Sequence, residues 1–219
     1  MKKILVIAVH PDDETLGCGG TLLKHKADGD EIHWLICTTL NKQSDYYEAR
    51  EKEIQKVASL YRFDSVTQLQ FETMKVDEYS MSELISSLSK VIKNIEPTDI
   101  YLPFLGDVHS DHRKIFEASF SCTKSFRYPF IKKIYMMETL SETEFAPAIM
   151  GNSFIPNSFV NITSHLKQKE EILKIYKSEI APSPFPRSLE NIRALATLRG
   201  ASCGYRFAEA FMLIKEINE

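Results

Sequence analysis

The feature that most constrains this chain is an abrupt change of character near its start. An unbroken apolar run, Ile4 to Val9, leads directly into His10-Pro11-Asp12-Asp13-Glu14. A strand that is apolar on both faces belongs inside a sheet covered on both sides. From Gly19 to Ala27 the pattern turns helical, and Asp28-Gly29 closes it. Strand, sharp turn and helix in that order mark the sheet edge where α/β proteins place their chemistry. Pro11 stiffens the turn. Beside one imidazole stand three carboxylates, and like charges so close together repel one another unless a cation joins them. A divalent metal is the simplest such cation. Taken alone, the turn also reads as an acidic cap on the following helix.

The pattern repeats along the chain. Ile32–Thr38 reads as a second strand, Tyr46–Tyr61 as an amphipathic helix and Ser65–Phe71 as a third strand. Ser80-Met81-Ser82-Glu83 is a capping box for a helix to about Ile95, which Pro97 stops. Asp99–Phe104 is a fourth strand, followed by a helix to about Lys124 and a strand at Ile131–Glu138. This alternation predicts an α/β, Rossmann-like fold with a mostly parallel sheet and helices on both faces. Beyond Leu140 the rhythm changes. A short strand (Phe159–Ile162), a charged helix (Ser164–Ser178), a proline-rich loop (Pro182–Pro186), a helix (Leu189–Leu198) and a terminal segment (Phe207–Ile217) follow. The 219 residues suit a single domain. Within it we expect an α/β core over about 1–140 and a C-terminal subregion, about 141–219, walling a pocket.

A second polar cluster follows the fourth strand: Gly106-Asp107-Val108-His109-Ser110-Asp111-His112-Arg113. In the common doubly wound orders, the loops after the first and fourth strands flank the ligand crevice. The two clusters can therefore meet. Together they offer two imidazoles and a carboxylate for a metal, with acids and one imidazole to spare. Two histidines, a carboxylate and an open water position form a recurrent catalytic zinc arrangement. His25, within a helix, His33, within a strand, and His165, at a helix start, read as packing or surface residues.

Composition narrows the classes further. The formal net charge of -3 makes no electrostatic case for nucleic acid. The four cysteines include no C-x-x-C pair and read as small buried hydrophobes in a reducing compartment. Met1-Lys2-Lys3 before the first apolar run imitates a signal peptide, but the run is too short and ends in acids. No stretch approaches the roughly 20 apolar residues of a membrane span. A cytoplasmic protein without an integral membrane segment is expected. The first turn lacks G-x-G-x-x-G, and its acids would repel a pyrophosphate, which disfavours a nucleotide-binding domain.

With both clusters in view, the sequence resembles the LmbE/PIG-L family of zinc-dependent N-acetylglucosaminyl de-N-acetylases. The resemblance rests on Ala8-Val9-His10-Pro11-Asp12-Asp13-Glu14 and His109-Ser110-Asp111-His112, and covers most of the chain. Leu102-Pro103 ahead of Asp107, and Arg199-Gly200 with Ala208-Glu209-Ala210-Phe211, add to it. It implies that His10, Asp13 and His112 bind Zn2+, with Fe2+ as the alternative. It implies that Asp12 is the general base taking a proton from the metal-bound water as that water attacks the amide carbonyl. His109 would stabilise the oxyanion or protonate the leaving amine, oriented by Asp111, which would favour the imidazolium. Arg50 would contact sugar hydroxyls. Glu14 is expected to be structural.

The implied activity is removal of the N-acetyl group from an N-acetylated amino sugar or glycoconjugate, releasing acetate. Hydrolysis of another amide or ester is the alternative within the enzymes. A metal- or sugar-binding module without turnover is the alternative outside them, and it has no need of an unligated acid such as Asp12. Homo-oligomer formation is left open by the resemblance. Two departures from the family pattern stand out: Thr38–Gln43 lacks an expected glycine, and Glu179 replaces an expected Gln. Both are expected to lie away from the metal and to bear on the substrate. Phe154, Phe159 and Phe185 are candidate apolar walls.

Overall fold

The computed structural model of the protein describes residues 1–149 and 151–218. Five parallel strands form most of one sheet: β1 (Lys3–Ala8), β2 (Glu31–Thr39), β3 (Ser65–Glu72), β4 (Asp99–Leu102) and β5 (Lys133–Met137). Two strands of the C-terminal third, β6 (Ser158–Asn161) and β7 (Ala208–Glu216), extend it antiparallel. The order across the sheet is β3-β2-β1-β4-β5-β7-β6. The fold is thus a single α/β domain with a mostly parallel seven-stranded sheet, as the alternation predicts.

Period-two burial in β1 shows why both faces are covered. Ile4, Val6 and Ala8 join one core, which is closed by helices α1 (Asp13–Ala27), α2 (Tyr47–Tyr61), α5 (Leu166–Leu173) and α6 (Leu189–Ala201). Leu5, Ile7 and Val9 join the other, closed by α3 (Met81–Ile95) and α4 (Ser110–Ser121). The capping box opens α3 as read: Ser80 Oγ accepts from the Glu83 backbone N–H, and Ser80 N–H donates to Glu83 Oε2 at 3.0 Å.

Three elements differ from the sequence reading. The charged helix shrinks to Leu166–Leu173, because the chain tightens into turns at Ile175 and Tyr176 that bury the Tyr176 ring. The terminal segment is strand β7, inserted between β5 and β6. Helix α1 starts six residues earlier than Gly19, at Asp13, but kinks at Cys18 (φ -145°, ψ 21°). The kink frees backbone donors that need partners. Glu209, on β7, accepts from Gly20 N–H at 2.8 Å and Thr21 N–H at 2.7 Å. Lys169 balances its charge at 2.7 Å and also donates to the Leu16 carbonyl. A Cβ on Gly19 would lie 2.4 Å from the Tyr61 hydroxyl, and one on Gly20 would lie 2.7 Å from Ile162. The two glycines let α1 lie this close to its neighbours.

Candidate active site

The sheet reverses its winding between β1 and β4, and the loops leaving those strands face one crevice. The first loop brings His10, Asp12 and Asp13, and the second brings Asp107, His109, Asp111 and His112. His10 Nδ1 lies 3.4 Å from His112 Nε2, His112 Nε2 lies 3.4 Å from Asp13 Oδ2, and His10 Nδ1 lies 4.0 Å from Asp13 Oδ2. Tetrahedral zinc with bonds near 2.0–2.2 Å has donor-to-donor edges of roughly 3.3–3.6 Å. Both separations to His112 match such an edge and the 4.0 Å between His10 and Asp13 is somewhat longer, so two imidazoles and a carboxylate are grouped closely enough to hold zinc, and iron(II) suits the same donors.

Each candidate ligand is held by an outer partner, as metal-binding side chains commonly are. His112 Nδ1 is 2.8 Å from Asp107 Oδ2, and Thr143 Oγ1 donates to Asp107 Oδ1 at 2.7 Å. Asp13 Oδ2 accepts the backbone N–H of Val9 and His10 at 2.9 and 2.8 Å. Burial opposes charge on His112, yet Asp13 and Asp107 carry its pKa up to about 9. Surroundings that hold a proton this firmly also favour a divalent cation. Asp107 was legible only as part of a polar loop; the geometry shows what it holds.

Asp111 differs from expectation. Its Oδ2 lies 3.3 Å from His10 Nε2 and accepts from Met74 N–H at 2.8 Å, so the carboxylate serves His10 and the loop after β3. Only its backbone N–H reaches His109, donating to Nδ1 at 3.1 Å. That bond leaves the proton of a neutral His109 on Nε2. Burial, then the neighbouring His10, lowers the His109 pKa, so the imidazolium expected from the sequence is disfavoured. His10, His109 and Asp111 are also grouped closely enough to hold an ion, and they share His10 with the first set.

Asp12 occupies a backbone region L-residues seldom adopt, with φ 137° and ψ -28°. Such strain persists where the surroundings over-determine it. Its N–H donates to Glu14 Oε2 at 3.1 Å, and Glu14 Oε1 accepts from Tyr176 OH at 2.9 Å. Arg50 Nη1 donates to the Pro11 carbonyl at 2.8 Å, gripping the turn from the other side. Burial, then the charges of Asp13 and Glu179, raises the Asp12 pKa well above the usual carboxylate range. Burial pushes the wholly buried Glu14 to about 7, and its contacts are those of a brace.

These groups open into a cavity of about 220 Å³. His10, Asp12, Asp13 and His109 line its depth, and Leu16, Leu40, Tyr47, Ile54 and Met74 give it apolar walls. The C-terminal third supplies Ser141, Glu142, Glu179 and Arg187. Three expectations change here. Phe154, Phe159 and Phe185 do not line the cavity: Phe154 packs on Phe104, Phe159 pairs with Ala210 in the sheet, and Phe185 stacks with Arg187. Thr38, Thr39, Leu40 and Glu179 do line it, so the two departures from the family pattern are not remote. Arg50 also lines it, but its donors are engaged by the Pro11 carbonyl, Ser178, Glu179 and Glu53. Glu179 also bonds Arg187 Nη2 at 3.0 Å, so one carboxylate bridges two arginines. Glu142 and Arg187 carried no sequence signal, since they stand alone in irregular segments.

The other histidines sit as packing groups. His25 lies between Asp30 (2.9 Å) and Tyr101 OH (3.2 Å), and His33 lies 2.8 Å from Ser65 Oγ. Among the described residues no helix is long and apolar enough to cross a membrane.

Residues 5–123 match the PIG-L family, described as GlcNAc-PI de-N-acetylase. An uncharacterized deacetylase, YaiS, of Escherichia coli K12 is 31% identical over 123 residues, covering 54% of this chain and 66% of that protein. This chain thus spans just under two thirds of that relative. The diacetylchitobiose deacetylase of Thermococcus kodakarensis is 23% identical over 99% of this chain and 85% of its own length. In three dimensions the conserved protein TT1542 of Thermus thermophilus superposes with a TM-score of 0.79 at 23% identity, over 100% of this chain and 97% of that one. The 4-carboxy-2-hydroxymuconate hydratase GalB of Pseudomonas putida shares the fold at a TM-score of 0.76 and 16% identity, over 100% and 99%. Both matching turns and their meeting at one crevice agree with the matched span: the chain is a member of the PIG-L (LmbE-like) deacetylase family.

Proposed function

We propose that residues 1–219 form one deacetylase domain that removes the acetyl group from an N-acetylated amino sugar or glycoconjugate. The observation that carries this reading is a compact His10/Asp13/His112 donor set beside a strained, buried Asp12, all facing one cavity. Relatives named for deacetylation of diacetylchitobiose and of an acetamido-glucosyl inositol support the sugar class. A divalent ion held by the three ligands, zinc or iron(II), supplies Lewis acidity and lowers the pKa of water towards neutrality.

The chain's own groups perform the rest. Asp12 takes the proton of the attacking water, for which a raised pKa suits a base working near neutral pH. His109, with its proton on Nε2, donates to the oxygen that gains negative charge as the carbonyl is attacked. Asp111 enters through two placements: its carboxylate fixes His10, and its N–H fixes the His109 ring. The proton held by Asp12 then serves the leaving nitrogen as the C–N bond breaks. The second hydrogen of the water is released as the new acid ionises and is taken up by the amine, so acetate and an ammonium group account for every atom. Arg50 acts by holding the Pro11–Asp12 turn and shaping the cavity wall.

Acetate release from a panel of N-acetylated sugars by the metal-loaded protein tests this reading. Asp12→Ala should keep its metal and lose roughly 10²–10⁴-fold in rate. A variant as fast as the native protein would remove Asp12 from the mechanism. The hydratase neighbour shows that this fold also carries C=C chemistry. A protein that hydrates an unsaturated acid and frees no acetate would belong with that neighbour in function.

A further inference from the structure

We infer that Glu142 is a substrate-contacting residue, whose carboxylate accepts a hydrogen bond from a sugar hydroxyl in the cavity. The inference rests on the deacetylase reading above and adds a specificity determinant to it. Glu142 lines the cavity and is half-buried. Every other acid there has a partner or a role. Asp13 accepts two backbone N–H groups, Glu179 lies between Arg50 and Arg187, Glu51 accepts from Gln68, and Asp12 is the base. Among the described residues, the only side-chain hydrogen bond to Glu142 comes from Ser141 Oγ, and it is long at 3.4 Å. A carboxylate withdrawn from water without a strong donor is unfavourable, and a polyol in the cavity would supply that donor.

The position is built and not incidental. Glu142 N–H and Thr143 N–H both donate to the Thr139 carbonyl, at 3.1 and 2.9 Å. The Glu142 carbonyl accepts from Val108 N–H at 3.1 Å, tying this turn to the loop that carries His109. Thr143 closes the same tie through Asp107, the partner of His112. Between them Ser141 adopts φ 75°, a left-handed conformation uncommon for a residue with a side chain. Arg187 Nη1 donates to Ser141 Oγ at 3.0 Å and pins that turn from outside. The backbone that carries Glu142 is therefore tied to the loop that carries His109.

The charges that act on it are His112 and Arg187 on one side and Asp13 and Asp107 on the other. Burial outweighs the two cations and moves its pKa up to about 7.

The test uses the full-length, metal-loaded protein with N-acetylglucosamine-type substrates and their monodeoxy analogues. Glu142→Ala should keep metal content, raise KM roughly tenfold to a hundredfold, and change kcat less. On the one deoxy analogue that lacks the contacted hydroxyl, Ala and native proteins should have the same KM. Glu142→Leu, which fills the space without an acceptor, should repeat the pattern and decides the matter if Ala is unstable, whereas Glu142→Gln, which keeps an acceptor oxygen, should fall between them and native. An unchanged KM for both Glu142→Ala and Glu142→Leu on every cleaved sugar overturns the inference while leaving the deacetylase reading intact. A native protein that frees no acetate from any N-acetylated sugar overturns both together.

Discussion

The parallel half of the sheet and the C-terminal third contribute to the same cavity in different ways. The loops after β1 and β4 hold the candidate metal ligands and the proposed base, with donors fixed by short local contacts such as Val9 and His10 N–H on Asp13. The C-terminal third contributes braces and a lining residue: Glu209 on the kinked α1, Tyr176 on Glu14, Glu179 on two arginines, and Glu142 in the cavity wall. Chemistry placed on strand ends is set by the sheet's topology. Shape placed on turns of an irregular segment can vary without disturbing it. The difference suggests how one scaffold keeps a reaction while changing what it accepts.

Experiments can break that division, beginning with the largest expected effect. His112→Ala should abolish metal retention after dialysis and reduce acetate release to background, because it removes one of the two imidazoles of the His10/Asp13/His112 set. Elemental analysis checks the first point, and retained stoichiometric metal would count against the ligand set. Asp107→Asn should leave the fold intact and weaken metal affinity about 10- to 100-fold, the usual cost of losing a carboxylate behind a metal-binding histidine. Competition with a chelator measures it, and native affinity would show that the 2.8 Å contact to His112 is dispensable.

The braces should behave otherwise. Glu209→Ala orphans two α1 donors and leaves buried Lys169 without its partner, so stability should fall by about 3 kcal/mol. Denaturant unfolding reads this, and an unchanged midpoint would make the C-terminal strand a passive neighbour of α1. The smallest effect concerns the thiols. Cys18, Cys37 and Cys122 are buried, and burial raises each pKa. In the native protein at neutral pH a thiol reagent should label Cys203 first and the other three only on unfolding; rapid labelling of all four would indicate an open core.

Much of the catalytic half was legible because its signals are local. The run from Ile4 to Val9, the Ser80 capping box and the two polar turns each announce themselves within a dozen residues. The strand-order switch then follows from general α/β topology. What escaped depends on contacts across the chain. The start of α1 is hidden in the sequence because Glu14, Gly19 and Gly20 look like turn residues until Tyr176 and Glu209 bind Glu14 and Gly20 from elsewhere in the chain. Asp111 points in the sequence to its near neighbour His109, whereas its carboxylate turns to His10, 101 residues away. The resemblance places Arg50 at the substrate, and the fold adds its bonds to the Pro11 carbonyl and Glu179 while leaving it in the cavity lining. Hydrophobicity marks Phe154, Phe159 and Phe185 as wall candidates but does not say where a loop travels.

In the proposed centre, turns about a hundred residues apart grip one divalent ion. X-ray absorption at the zinc edge of the zinc-loaded protein tests it most directly. The expected result is two imidazole nitrogens plus oxygen donors at about 2.0–2.1 Å, falling to one imidazole in either His10→Ala or His112→Ala at forced occupancy. A spectrum with no imidazole scattering, or one unaltered by both substitutions, would contradict the account.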